Sequence, residues 1–380
     1  MPSRTGSIGA SGAGRSQNAA SAKRAGLSAL ALDLFADLDT CAHAARCVRV
    51  HKKGGLAFDG DDLIQALASL SPPGLPVVLG GGFEHDTALM QRIGARNPIL
   101  GNMAETVRVL KDPLALAALC GHLRVPFPAV SLEAPTGDLL AAPMVDKQIG
   151  GIGGSHVRPR AAGDATSPAP GGYVQARVEG ETYSLVLLSN GLDSRVVGAV
   201  RQWAAPSPAQ PFRYGGAAGP VTLPGGHGPA ILAAAARIAQ VCGLVGLISF
   251  DVIIGPAGWW LLEVNPRPGS SLEILDTDPL PPLLALQLAA CGGKLPPAAL
   301  PAPPEVAAAA LLHGESYVMI PPGDWPEGVG DRMAPGTVIP AGAPICTARA
   351  RAATPEAARC AVEARLAEMR ALLGLPSPGA

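Results

Sequence analysis

Aromatic side chains are scarce in this chain of 380 residues: Phe, Trp and Tyr make up 4%, and charged residues only 16%. With a formal net charge of -1, the chain lacks the basic footprint that nucleic-acid binding demands. Hydrophobic residues reach 48%, yet no uninterrupted apolar run approaches the ~20 residues that span a bilayer. A transmembrane helix is therefore excluded. The seven cysteines contain no CxxC pair, which removes zinc ribbons and dithiol redox motifs. Their odd number and scatter point to reduced, mostly buried thiols and a cytoplasmic setting. Neither Walker A nor Rossmann spacing occurs, so neither of those phosphate loops is available.

What is abundant is Ala, with 47 Gly and 39 Pro, the composition of a chain rich in turns. Its length allows two or three domains around substantial cores. Residues 1–25 are Ser/Gly/Ala-rich with basic but no acidic residues, and read as a disordered tail. A signal peptide is the competing reading of "AGLSALAL", but Asp33 and Asp37 interrupt it. Residues 26–105 alternate helical and strand patterns ("LIQALASL", "LPVVLGGGFEHD") and form an N-terminal α/β layer. Residues 106–295 open with a helix at "DPLALAALCGHL", continue with strands near 143–148, 173–178, 183–188 and 194–201, and add a helix over 229–242. After a Pro/Ala linker near 296–306, a C-terminal lobe runs to residue 380 and ends in a helix.

The stretch "LISFDVIIGPAGWWLLEVNPRPGSS" (247–271) carries the strongest chemical signal. Two apolar strands flank the turn "GPAG". A hairpin symmetric about Ala257 sets Asp251 opposite Glu263 and Ser249 opposite Asn265, all on one face. Directly opposed carboxylates about 5 Å apart repel. Two solvated acids on an exposed face would tolerate this. A divalent cation would resolve it, because Mg²⁺ takes hard oxygens from one or two carboxylates plus phosphate and water.

A second cluster, "PMVDKQIGGIGGSHVRPR" (143–160), is a strand carrying Lys147, then Gly150, Gly151, Gly153 and Gly154. Such a loop brings backbone N–H groups against phosphate oxygens, where a Cβ would obstruct. An ordinary flexible hairpin is its plain alternative. "VQARVEGETYS" (174–184) offers an extended, partly apolar seat for an adenine, with Gln175 and Val178 toward the amino edge. Glu84 in "GGGFEHD" either pairs an amine or belongs to a helix cap. The cysteines and His85 fit core and loop positions better than catalytic ones.

In order and spacing, the lysine and glycine loop, the "Q-x-x-V-x-G" hinge, Asp on one strand and Glu-x-Asn on the next resemble the ATP-grasp superfamily. "LEVNPRPGSSLEI" is similar to ATP-dependent carboligases related to biotin carboxylase, and residues 334–358 resemble the C-terminal lobe of those members. The resemblance implies an α/β and α+β architecture: an N-terminal α/β layer, two subdomains clamping ATP, and a small C-terminal lobe. It implies that Lys111 and Lys147 hold the nucleotide, with Gly150 to Gly154 closing over its phosphates. Gln175 and Val178 would line the adenine, and Glu181 would reach the ribose. Asp251, Glu263 and Asn265 would bind two Mg²⁺ ions, with Mn²⁺ as a substitute, Glu263 bridging and Asn265 on the second. Arg267 would meet an acyl phosphate, with Asn265 and His156 beside it.

Three positions depart from the family pattern. Ser249 stands where many relatives have arginine, leaving Arg267, His156 or Arg158 to supply that charge. Lys111 precedes the expected lysine position, nearer which Pro113 stands, and Thr182 sits close to the ribose-acid position. The implied activity is an ATP-dependent carboxylate–amine ligase acting on small molecules through an acyl phosphate. The resemblance extends to biosynthesis of a methanopterin- or methanofuran-type one-carbon carrier, and it allows a homodimer. Carboxylation through carboxyphosphate and a non-catalytic nucleotide-responsive binding protein are the alternatives.

Overall fold

The computed structural model describes residues 7–11, 16–54 and 56–376. Its first layer is a four-stranded parallel sheet in the order Arg46–Arg49, Ala29–Asp33, Ser7–Ser11, Val77–Leu79. The expected tail is thereby corrected: Ser7–Ser11 is an inner strand, and Gln17–Arg24 is a helix. The other residues of that segment up to 15 lie outside the described ones. Small residues hid this element, because they carry almost no hydrophobic pattern. They are also what the site requires, since Ala22 is fully buried among Ala29, Val78 and Leu284. A second cluster, including Leu32, Phe58, Leu63, Leu67 and Phe83, forms the core of the layer.

Two helices, Ala104–Lys111 and Pro113–Leu123, meet at Asp112. The Asp112 backbone N–H ends the first, and its carboxylate accepts from Leu114 and Ala115 N–H to start the second. A small antiparallel sheet follows, ordered Val130–Ser131, Gly172–Ala176, Met144–Gln148, Arg158–Arg160. The glycine-rich loop joins its last two strands.

The largest element is an eight-stranded antiparallel sheet. Its inner strands Glu181–Asn190, Ser194–Ala204 and Val245–Gly255 pack one face on helix Gly228–Val241; the other packs in part on helices Leu272–Leu275 and Leu283–Cys291 and in part lines a cavity that the small sheet also borders. Strands Val306–His313 and Pro344–Ala352 of the C-terminal lobe extend this same sheet beyond Tyr214–Gly219. The lobe keeps a cluster of its own around Leu312, Val318 and Ile345. Its closing helix, Pro355–Leu372, starts with Pro355 after a Thr354 cap.

The hairpin Val245–Gly255/Gly258–Asn265 pairs Asp251 with Glu263 and Ser249 with Asn265, as the sequence implied. The route differs. Gly255 pairs with Gly258 around Pro256–Ala257, and Val252 pairs with Leu261, so Leu262 is an extra residue. This bulge switches the strand's faces. Trp259 and Leu261 pack on the helix side with Phe250, Val252 and Val264, whereas Glu263 and Asn265 look the other way with Asp251.

Candidate active site

The N-terminal layer, the small sheet, the large sheet and the C-terminal lobe enclose one cavity of about 1070 Å³. Lys147, Gly153, Gly154, His156, Gln175, Val178, Asp251, Glu263, Asn265 and Arg267 all line it. Ten residues from three separate stretches of sequence, 143–160, 174–184 and 247–271, thus converge.

Charge alternates along its floor. Lys111 Nζ donates to Glu263 Oε1 at 2.5 Å and to Asn265 Oδ1 at 2.7 Å. Asn265 Nδ2 in turn donates to Asp251 Oδ2 at 3.0 Å. Arg267 Nε donates to Glu84 Oε1 at 2.6 Å, while Gly82 N–H fixes Glu84 Oε2 at 2.7 Å. Burial would raise the Glu84 pKa, but the nearby Arg267 and Lys111 charges win and hold it at about 2. Burial likewise opposes ionisation of Glu263, and the Lys111 and Lys147 ammonium groups outweigh it, so its pKa is lowered. Asp251 has less help: burial and the Glu263 charge push it up to about 6. Gly81 and Gly269 make room for the Arg267 guanidinium; a Cβ on Gly269 would stand 2.9 Å from its Nη1.

The glycine loop is packed rather than loose. Gly150 lies against the 84–85 turn, where a Cβ would come within 2.7 Å of His85 Cα. A Cβ on Gly154 would come within 2.0 Å of the Phe212 carbonyl oxygen. Gly151 lies flat under the His156 imidazole, and like Gly150 it supports the loop without lining the cavity. Lys147 Nζ donates to Gln175 Oε1 at 3.2 Å and sits over the Tyr173 ring. Burial pulls the Lys147 pKa down, but Tyr173 and Glu263 raise it further, so the lysine stays charged.

Four expectations change. Lys111 does not line the cavity; it lies beneath the carboxylates, its side chain 4% exposed. Glu181 faces away, pairing with Arg201 and accepting from the Tyr183 hydroxyl, because strand alternation turns its neighbour Thr182 inward. Glu179 is the acid that borders the hinge instead. Gln175 is committed to Lys147, with its backbone inside the small sheet, and its Nε2 is buried without a partner among the described residues. His156 is neutral, since burial and Lys147 lower its pKa to about 4. It cannot supply the charge that Ser249 lacks. Nor does exposed Arg158, which donates to the Ser155 and Val157 carbonyls. Arg267 is left.

Sequence reasoning missed Gln17 and Asn18 of the first helix, Lys52, Trp203, Phe212 and His313, all of which line the cavity. Nothing local in the sequence set any of them apart.

The donor set fits a hard divalent cation. Asp251 Oδ1 is buried with no hydrogen-bond partner among the described residues, beside the partly open Glu263 carboxylate. No group of three or more His, Cys, Asp or Glu side chains capable of holding a metal exists among the described residues. Such a sparse set suits Mg²⁺, whose remaining ligands are phosphate and water.

Residues 114–271 match the model of the ATP-grasp domain. No curated protein matches the sequence. Among solved structures, the chain is similar to the biotin carboxylase domain dimer of Hydrogenobacter thermophilus 2-oxoglutarate carboxylase, in complex with MgADP, ADP and bicarbonate. The TM-score is 0.70 at 11% identity, covering 95% of this chain and 89% of that one. The biotin carboxylase domain of a single-chain bacterial carboxylase gives 0.70 at 19% identity, over 98% and 94% of the two chains. Campylobacter jejuni biotin carboxylase in its β,γ-ATP complex gives 0.69 at 14%, over 93% and 89%. The expected α/β and α+β architecture is thus the observed one. No described helix is long and apolar enough to cross a membrane.

Proposed function

We propose that this chain, whose residues 114–271 match the ATP-grasp domain and whose fold is that of biotin carboxylase domains, is an ATP- and Mg²⁺-dependent carboxylate–amine ligase. The observation that carries the reading is the unpartnered Asp251 Oδ1 on the same cavity wall as Glu263, facing the Lys147–glycine loop. Lys147 and the loop N–H groups hold the phosphates, and the hinge at Val178 and Glu179 holds the nucleoside. Asp251 and Glu263 hold Mg²⁺, which when bound neutralises phosphate oxygens.

A substrate carboxylate oxygen forms a bond to the γ-phosphorus as the β,γ-bridging P–O bond breaks and ADP leaves. An amine then attacks the acyl carbon, phosphate departs with the C–O bond, and the nitrogen loses a proton. Arg267, clamped through Nε by Glu84, keeps its outer nitrogens for the acyl phosphate. Phe35, Trp203 and Phe212 add apolar surface to the cavity lining, which suits an organic acid or amine better than an inorganic anion. Biosynthesis of a methanopterin- or methanofuran-type carrier rests on the resemblance of "LEVNPRPGSSLEI" alone. A homodimer, by analogy with the Hydrogenobacter domain, and a reducing cytoplasm, which suits seven free thiols, complete the proposal.

The whole-chain likeness to biotin carboxylase domains favours a second reading, carboxylation through carboxyphosphate. One experiment separates the two. ADP release is measured with candidate acids and amines, including glutamate and aromatic amines, with and without bicarbonate. The ligase reading requires ADP release that depends on both an acid and an amine and ignores bicarbonate. Release that requires bicarbonate instead overturns it in favour of carboxylation.

A further inference from the structure

Building on the ATP–Mg²⁺ reading, we propose that the Lys111 ammonium permanently occupies the place of a second metal ion, so that this site takes one Mg²⁺ per nucleotide. A second ion would draw on Glu263 as a bridge and on Asn265. Lys111 Nζ already holds those two groups, at 2.5 Å from Glu263 Oε1 and 2.7 Å from Asn265 Oδ1. The oxygen left over is Asp251 Oδ1, buried and unpartnered. Beside it, Glu263 retains 30% exposure of its side chain and so has an open side toward the cavity. One ion fits there, on the front of the carboxylate pair.

The lysine comes from behind. Its side chain is 4% exposed and does not line the cavity, so nucleotide entering from the front does not meet it. Its backbone is fixed as the last residue of helix Ala104–Lys111, whose end and the next helix's start are both capped by Asp112. An ammonium is a compact charge with three donors, able to serve two oxygens at ordinary hydrogen-bond distances. Mg²⁺ would need the same oxygens at about 2.0–2.1 Å in octahedral geometry. The two cannot share the seat, and the tethered cation is always present.

The test counts ions. Mn²⁺ is titrated by electron paramagnetic resonance into the full-length protein saturated with a non-hydrolysable ATP analogue. One tightly bound Mn²⁺ per chain is expected. Two overturns the inference while leaving the ligase reading intact, and none overturns the nucleotide–metal reading together with it. In Lys111→Ala, checked for folding by circular dichroism, the count should rise from one to two. A folded variant that still binds one ion would overturn the assignment of Lys111 as the occupant. Should that variant fail to fold, the wild-type count decides alone.

Discussion

Among the described residues, the buried acids of the cavity and those at the contact between the N-terminal layer and the C-terminal lobe meet the same electrostatic problem in different ways. In the cavity, Glu84, Asp251 and Glu263 stand among Arg267, Lys111 and Lys147. Where the N-terminal layer meets the C-terminal lobe, Asp33, Asp37 and Asp331 stand together. Of the cations nearby, Arg332 is taken by Asp39 and Arg349 by Glu273. Burial raises carboxylate pKa values in both places. In the cavity, neighbouring cations hold Glu84 at about 2 and Glu263 below its usual range. At the lobe contact, burial and then the Asp37 charge push Asp33 up to about 7, and burial and then Asp331 push Asp37 to about 6. Burial therefore does not identify a working carboxylate. The counter-charge separates them: Glu84 and Glu263 keep their charge because lysines and arginines from distant segments serve them, whereas Asp251, with less help, rises to about 6 and is left for a cation from outside.

The sharpest way to break this contrast is Glu263→Gln. Loss of a metal carboxylate removes several kcal/mol of charge stabilisation, roughly a thousandfold in turnover by ADP release. Because Lys111 is paired with Glu263, the unliganded variant should also lose about 1–3 kcal/mol in denaturant titration. The sequence alone suggests the reverse, relief of a repelling pair, so unchanged stability would separate Lys111 from the cavity acids. Next comes Arg267→Lys. A lysine cannot hold Glu84 and a substrate oxyanion with one planar fork. Activity should fall about a hundredfold, with nucleotide affinity by calorimetry changing only a few-fold. Equal losses in both would make Arg267 part of the nucleotide site.

Asp33→Asn probes the other cluster. Asp33 carries a folded-state pKa of about 7 against 3.8 unfolded, so the folded protein holds the extra proton between those values. Stability from this group is therefore greatest at low pH and declines as pH rises toward 7. Asn keeps an oxygen to accept from Phe35 and Ala36 N–H and never ionises. The variant should be more stable than wild type at pH 8 by a few kcal/mol, at about 1.4 kcal/mol per pKa unit, and similar near pH 4. A constant difference across pH would show that Asp33 stays charged. The smallest effect is expected for Lys147→Ala: weaker ATP binding by about 1–3 kcal/mol with the fold retained. Unchanged affinity would remove it from the phosphate site.

Local patterns in the sequence located the hairpin, the glycine loop and the helix at 228–241 to within a few residues, because turns, glycines and apolar runs are read from neighbours. The shared facing of Asp251, Glu263 and Asn265 followed from strand alternation. Lys111 did not, because its partners lie 152 and 154 residues away and nothing local distinguishes a sealed lysine from a nucleotide-facing one. Glu181 failed by one position, which in a strand is the whole difference between cavity and exterior. Ser7–Ser11 and Gln17–Arg24 went unseen because small residues pack closely without announcing it. The extension of the large sheet into the C-terminal lobe is a pairing between strands some ninety residues apart, beyond the reach of local periodicity.

Leu262 gives the gene an unusual point of tolerance. The extra residue stands between Leu261 on the helix side and Glu263 on the cavity side. A single-codon deletion of Leu262 would make Glu263 the immediate neighbour of Leu261, and plain alternation would still turn Glu263 and Asn265 to the cavity and Val264 to the helix. Loss of Leu261 as well would carry Glu263 and Asn265 to the face packed on helix Gly228–Val241 and present Val264 to the cavity. A comparison of the two deletions by ADP release should find the first close to wild type and the second inactive.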